Sequence, residues 1–411
     1  MTTSSADRPT SYREVFGVPE FRALFAAQVL STLGDQFARV ALAVLVFDRT
    51  SSPGLTTLTY ALTYLPDLIA GPLLSGLADR HPRRAVMVSA DLVRACLVAL
   101  MAVPGTPFVL LCALLVLVQL LNAPFSAARA ATLPVALTGD RYVAGSAVSN
   151  MANQLAQLVG FAAGGAVVTW TGAGSALLLD AASFLLSAAL IAGGVQRRPV
   201  PVAPGHRPPW WGSVRAGAVL VWGDRRLRAL VTLACVSGFY ITAEGLAVPY
   251  AHEIGGGAGA AGLLLAAAPA GTAAGMLLLG RLVPPSTRLR WMAPMAVLAC
   301  VPLLPSGWHP GLGWTLALWA LSGAASAYHL TANAAFVRGL PDRSRGQAFG
   351  LAATALRISQ GGGILLAGVA AEHVGSGQAI AAAGALGVLA AAGAGTAWRH
   401  ADRSAAPAPN T

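Results

Sequence analysis

Apolar stretches of roughly 20 residues, long enough for a helix to cross a ~30 Å hydrocarbon layer, recur from Phe21 to Trp398 with only short breaks. No other feature narrows the possible folds as far. Only 10% of the 411 residues are charged and 55% are apolar, too little charge to hydrate the surface of a soluble protein this long. In lipid the backbone must satisfy its own hydrogen bonds, and segments of this length do so as helices. The expected fold is an all-α integral membrane protein, with no room for a soluble domain.

The runs predict helices at residues 21–47, 55–78, 85–103, 108–125, 143–170 and 175–195, and again at 227–250, 258–283, 291–304, 312–336, 347–371 and 378–398. That makes twelve transmembrane helices in two six-helix bundles, residues 21–195 and 227–398. Around them lie an N-terminal segment at 1–20, a linker at 196–226 rich in Pro and Arg, and a tail at 399–411. An internal repeat supports the division. The segment from Gly71 to Gly76 is echoed by Gly275 to Gly280, and Leu133-Pro134 and Gln157 are echoed by Leu340-Pro341 and Gln360. Two echoes at a nearly constant offset indicate duplication, so the bundles should be pseudo-symmetric.

All 27 basic residues are Arg, and the net charge is +11. Apart from Arg49 and from Arg39, Arg94 and Arg357 deep inside predicted spans, they fall in the termini, in every second connection or within two residues of the adjoining span ends. This is the bias that orients a membrane protein, not a nucleic-acid surface, and it predicts that both termini are cytoplasmic. Cys96, Cys112, Cys235 and Cys300 lie in apolar stretches without metal spacing, so neither disulfides, a metal nor a cofactor is expected. The polar N-terminal segment has no cleavable signal pattern. Heavy Ala and Gly use with no Lys is the composition of a GC-rich bacterial genome, and a bacterial plasma membrane is the expected address.

The connection Ser75-Gly76-Leu77-Ala78-Asp79-Arg80-His81-Pro82-Arg83-Arg84 resembles the signature loop of the major facilitator superfamily, with Ser75 and Pro82 where that family usually has Gly. The resemblance implies a conformational latch between the bundles, formed by Gly76, Asp79, Arg80, Arg83 and Arg84, with Asp79 near the positive start of the eleventh helix. Gly160, Gly164 and Gly165 look like the Gly-rich segment of exporters in that family, with Phe161 where Pro is usual, and suit close helix packing. The antibiotic and siderophore exporter branch is also resembled by Leu33-Gly34-Asp35, by Asp91 with Arg94, and by Leu179-Asp180-Ala181 followed by Ser183-Phe184. No Arg falls within the fourth predicted helix, where some proton-coupled members carry one.

A charge at mid-bilayer costs at least ~2.5–3.5 kcal/mol even on insertion scales, so each ionisable residue inside a span is a candidate for function. Asp35 has Arg39 one turn further on the same helical face, spaced for an ion pair. Glu244 has Tyr240 one turn before it and no basic residue nearby, and a carboxyl group without a counter-charge in a dry surrounding binds a proton more readily. Asp35, Glu244, Asp67 and Arg39 are therefore the candidates for proton coupling. Tyr60, Tyr64 and Asp67 are spaced to share one face. Asp91 with Arg94, and Asp180, fit structural roles. Asn150, Asn153, Gln154 and Gln157 form a polar stripe that either lines a watered cavity or bonds another helix. The cavity candidates are Tyr60, Tyr64, Asn122, Asn153, Gln157, Tyr240, Arg357 and Gln360.

These readings predict a secondary transporter working by alternating access, with proton-coupled efflux of small amphipathic or apolar organic compounds as the first expectation. Its partners are then the lipid bilayer, a small-molecule substrate and protons, and a monomer suffices to form the cavity. Uptake of a small polar nutrient is the alternative, and would call for more fixed charge in the cavity. An intramembrane enzyme lacks support: no metal-ligand pair or nucleophile with its base stands out, and His206, His252, His309, His373 and His400 lie in loops or at helix ends. A non-transporting sensor would need an appended signalling domain.

Overall fold

The computed structural model describes residues 12–74, 80–199, 210–340 and 345–404. Among these the chain is helical throughout, without strands. After a short helix at Tyr12–Phe16, the first half contains α1 (Pro19–Thr50), α2 in two pieces (Pro53–Ala61 and Asp67–Leu74), α3 (Arg83–Met101), α4 (Phe108–Ala136), α5 (Asp140–Thr171) and α6 (Ala173–Gly194). The second half contains α7 in four pieces (Arg225–Cys235, Ser237–Tyr240, Thr242–Gly245 and Ala247–Glu253) and α8 (Ala258–Leu282). Next come α9 (Pro285–Cys300, running on as the 3-10 turns Val301–Trp308) and α10 (Leu312–Ser326 and Tyr328–Arg338), then α11 (Arg345–Val374) and α12 (Ser376–Ser404). Among the described residues, eight helices are long and apolar enough to cross a membrane: α1, α4, α5, α6, α7, α8, α9 and α12. The other four are the interrupted α2 and α10, and α3 and α11, which carry Arg94 and Arg357 in their middles.

Three differences from the sequence reading have local causes. The second helix breaks at residues 62–66. Pro66 has no N–H to donate, and its ring disfavours a continuous helix through that turn. The fourth helix runs past residue 125 to Ala136 despite Pro124, so Arg129 lies inside it, contrary to the expectation that this helix carries no Arg. The linker is not wholly irregular, because its prolines end at Pro209 and the Trp-, Ala- and Val-rich stretch after them forms a helix at Trp210–Gly223. That helix packs on α11. Asp224 then accepts from the amides of Arg226 and Leu227 and starts α7.

Helix pairing repeats between the halves: α1 packs on α5 and α6 as α7 does on α11 and α12, and α3 packs on α6 as α9 does on α12. The second piece of α2 packs on α4, as α8 packs on α10. All six connections at the arginine-poor end turn through a residue of positive φ: Ser51, Gly105, Gly172, Gly255, His309 with Gly311, and Gly375. A left-handed residue lets a helix stop and reverse within a few residues.

The halves meet chiefly through two crossed pairs, α5 with α8 and α2 with α11. Their tightest contacts lie toward the arginine-poor end. Gly165 of α5 and Gly262 of α8 bring two backbones together, and a Cβ on Gly165 would stand 2.7 Å from the Gly262 Cα. Gly361 and Gly368 of α11 leave room for Leu65 and Thr57 of α2. At the same end Glu372 of α11 accepts a hydrogen bond from the Gly54 amide at 2.8 Å and another from the Ser52 hydroxyl, and Phe47 meets His252 edge to face at 5.5 Å. Replacing Gly262 by Leu should force this seam open. Spin labels at the outer ends of α5 and α8 should report a longer distance than in the parent protein, and an unchanged distance would show that the glycine contact does not hold the seam.

Candidate functional site

Two polar clusters stand inside the helical layers. The first belongs to the first half alone. Arg94 of α3 lies 3.2 Å from Asp35 of α1 and 3.5 Å from Asp91, one turn back on its own helix. Its guanidinium stands 4.0 Å from the centre of the Phe184 ring, a cation–π contact in a dry site. Ser187 of α6 donates to Asp91 at 2.6 Å, and Ser183 donates to Asp180 at 3.3 Å. Gly34 lets α1 and α6 approach here, since any side chain on it would collide with Ser183 and Asp180. Arg94 and Asp91 are 1% and 0% exposed, against 29% for Asp35, which makes Asp35 the accessible member. The ion pair of Asp35 is thus with Arg94 and not with Arg39, because the Arg39 side chain, one turn further along the same face of α1, carries its guanidinium to the Tyr64 ring instead.

The second cluster lies between the halves. Tyr60 of α2 donates to Glu244 of α7 at 2.9 Å, closing a hydrogen bond across the interface. The Tyr64 ring, 6.0 Å from that of Tyr60, has the guanidinium of Arg39 at 5.7 Å and that of Arg357 from α11 at 5.4 Å. Arg39 is near enough to Asp35 and to Glu244 to act on both electrostatically, and so stands between the two clusters. Beside Glu244 a cavity of about 120 Å³ is lined by Gln154 and Gln157 of α5, Tyr240 of α7, Thr272 of α8 and Trp319 and Ser326 of α10. That is room for a few water molecules. The breaks in α7 on either side of Glu244 give this segment a mixture of helical and turn-like hydrogen bonds.

A sequence model of the Major Facilitator Superfamily matches residues 24–282, more than half of the chain. The chain belongs to the major facilitator superfamily. It is a multi-pass membrane protein of a family of transporters. Among curated members it is similar to the uncharacterised MFS-type transporter YkuC of Bacillus subtilis, at 26% identity over 43% of this chain and 42% of that one. Shorter matches join it to an uncharacterised MFS-type transporter of Mycobacterium tuberculosis (35%, over 21% of each chain) and to macrolide efflux protein A of Streptococcus pyogenes (28%, over 18% of each). The chain thus spans less than half the length of each of these relatives. Solved structures with the same fold include a peptide transporter POT in complex with sulfate, at TM-score 0.73 and 14% identity over 96% of this chain and 97% of that one. A bacterial homologue of the human lysosomal transporter Spinster, inward-facing and unoccupied, superposes at TM-score 0.68 and 15% identity over 97% and 100%.

Of the superfamily's latch loop, Gly76 and Asp79 lie outside the described residues, and Arg80 is exposed. Arg83 donates to the Ala131 carbonyl at 2.7 Å and Arg84 to that of Ala192, so both tie the start of α3 to α4 and α6 within the first half. The polar stripe of α5 divides residue by residue. Asn153 accepts from Thr32 at 2.8 Å and from Gln28 at 3.3 Å, both on α1, while Gln154 and Gln157 face the cavity and Asn150 is exposed. Gly160 and Gly164 pack against Gln36 and Phe37 of α1, whereas Gly165 faces the other half. Tyr240 lines the cavity, Asn122 accepts from Ser126 at 3.4 Å, and Gln360 is half-buried away from the cavity lining. The Asp67 side chain lies outside the described residues, and the break in α2 removes the regular spacing that would align it with Tyr60 and Tyr64.

Sequence reasoning passed over His329, whose Nε2 stands 2.6 Å from the Tyr240 hydroxyl and whose ring stacks on Tyr328 at 4.5 Å. A His well inside an apolar run was the available signal. It also passed over the polar face of α1, where Gln28, Thr32 and Gln36 follow at four-residue spacing.

Two outer carboxylates just past the ends of their spans fasten helix ends. Burial pushes Glu253 up, but hydrogen bonds from the Ser376 and Gly377 amides and from His309 outweigh it and hold the group below its ordinary value. The Ser52 hydroxyl and the Gly54 amide do the same for Glu372. A folded-state value below the unfolded one means that each contact contributes fully above the ordinary glutamate value of about 4.3 and is lost as the pH falls through the folded value. Acid should therefore loosen the outer seam, lowering the protection of the Gly54 amide relative to its intrinsic exchange rate at each pH, and Glu372→Gln should reproduce that loss at neutral pH. Protection that stays constant as the pH falls would remove Glu372 from the seam. For the inner cluster, Arg94→Met strands two carboxylates and should cost about 3–5 kcal/mol, read as a lowered unfolding midpoint in detergent. Arg39→Met should lower it far less.

Proposed function

We propose that this transporter is a proton-coupled exporter, an antiporter of small amphipathic or apolar organic compounds of the kind that confer multidrug resistance. The reading places it in a bacterial plasma membrane as a monomer with both termini cytoplasmic, and residues 21–195 and 227–398 rocking about the seam between them. The observation that carries it is the Tyr60–Glu244 hydrogen bond. A carboxylate bonded across the two halves ties its protonation to their separation, because an added proton cancels the charge that holds the tyrosine hydroxyl. Coupling further requires that proton and substrate favour different states. Aromatic and amide groups, Tyr240, Trp319, Gln154 and Gln157, line the adjoining cavity and suit a weakly polar guest. Asp35, Arg39 and Arg94 supply a second set of charges that Arg39 connects to Glu244. The short match to a macrolide efflux protein supports the same direction.

Arg39 and Arg357, both against Tyr64, favour one other reading: uptake of a small polar compound bearing a carboxylate, which paired guanidiniums bind well. The two separate in one experiment. A drug-sensitive bacterium expressing the chain is loaded with a panel of fluorescent dyes and antibiotics, with and without a protonophore, beside Glu244→Gln and Asp35→Asn variants at equal expression. Export predicts lowered accumulation of at least one compound, abolished by the protonophore and by Glu244→Gln. Accumulation of an organic acid instead, lost in Arg39→Gln, would sink the exporter reading in favour of uptake.

A further inference from the structure

At the arginine-rich end of the second half, a cavity of about 590 Å³ opens among the starts of α7 and α9 and the ends of α10 and α12, apart from the site between the halves. Its floor is apolar, with Leu227, Leu230 and Trp398 all buried, and Leu330 on its wall is 47% exposed. Three guanidiniums from three different helices line it: Arg226, Arg288 and Arg338. Two of them are held in place. Arg226 stands 5.7 Å from the centre of the Trp398 ring, and Arg288 donates to the carbonyls of Val283 at 2.8 Å and Gly280 at 2.9 Å at the end of α8. The one carboxylate among the described lining residues, Asp224, is engaged by the amides of Arg226 and Leu227 at 2.7 and 3.2 Å.

We propose that this cavity binds the phosphate headgroup of an anionic phospholipid, with an acyl chain lying against Leu330. Guanidiniums in a fixed arrangement match the oxygens of a phosphate, and basic pockets between helices at the membrane interface recognise such headgroups. The apolar floor selects a lipid over a free phosphate ion, since a hydrated anion gains nothing from Leu227 and Leu230, whereas glycerol and acyl carbons gain by leaving water. Exposed Trp222 and buried Trp398, beside the cavity and in it, belong to the residue type that gathers at the headgroup level. A lipid seated there joins α7, α9 and α10 at the arginine-rich end.

The test uses the full chain, purified and stripped of lipid, with phosphatidylglycerol, phosphatidylcholine or inorganic phosphate added in turn, while bound lipid is counted by native mass spectrometry and the unfolding midpoint is followed. Phosphatidylglycerol should remain bound and raise the midpoint. Arg338→Gln and Arg288→Gln should each weaken its retention about five-fold, on the scale of one basic residue at an anionic surface. Arg290→Gln, an exposed neighbour that does not line the cavity, should change nothing. If Arg288→Gln fails to fold because it loosens the end of α8, Arg338→Gln carries the test alone. Equal binding of phosphatidylcholine, an equal loss in Arg290→Gln, or a full midpoint shift with inorganic phosphate would overturn the proposal.

Discussion

A hydrocarbon layer offers no water to a stranded charge or an open amide, and that scarcity organises the whole molecule. It makes every long segment a helix, and it favours a protein partner for an ionisable side chain inside the layers. Arg94 answers the demand within the first half by serving Asp35 and Asp91 and resting on Phe184. Glu244 answers it differently, by taking its hydrogen bond from Tyr60 of the opposite half. The first solution ties helices together within one bundle; the second ties the two bundles to each other.

The division of labour follows the helices. α1 is packed on α6 through Gly34, so one face of it turns Asp35 inward, and the residue one turn later reaches the interface beside Tyr64. α5 splits in the same manner, its Asn153 bonded to α1 and its Gln157 left to the cavity. Along each of these helices one polar residue bonds a neighbouring helix and another a turn further on borders the interface or the cavity, so polar residues recur on segments that hydropathy alone reads as plain spans.

What could be read from the sequence was set by range. The all-helical membrane class and the family rest on local runs and a local loop motif, and those readings hold. Partner choice does not show in spacing: Asp35 and Arg39 are one turn apart, yet tertiary packing gives Asp35 to Arg94, 59 residues away. Helix ends were legible only where a breaker coincided with loss of hydropathy. Pro66 interrupts a run that stays apolar, and α4 continues through Pro124 into a segment whose Arg129 suggested a loop. The linker helix at Trp210–Gly223 was hidden behind its prolines. His329 was missed because only histidines in loops or at helix ends were weighed, and it lies within a predicted span.

The contact of Gly165 with Gly262 has a mechanical meaning. Where side chains interlock, sliding one helix past another must lift each knob out of its hole, and the surface prefers certain registers. Two backbones that touch through glycine present a smooth bearing, on which α5 and α8 can roll or slip with little corrugation to climb. Such a bearing chooses no position for itself. Preference between orientations must come from groups that make or break discrete bonds across the halves, such as Glu372 at the rim and Glu244 with Tyr60.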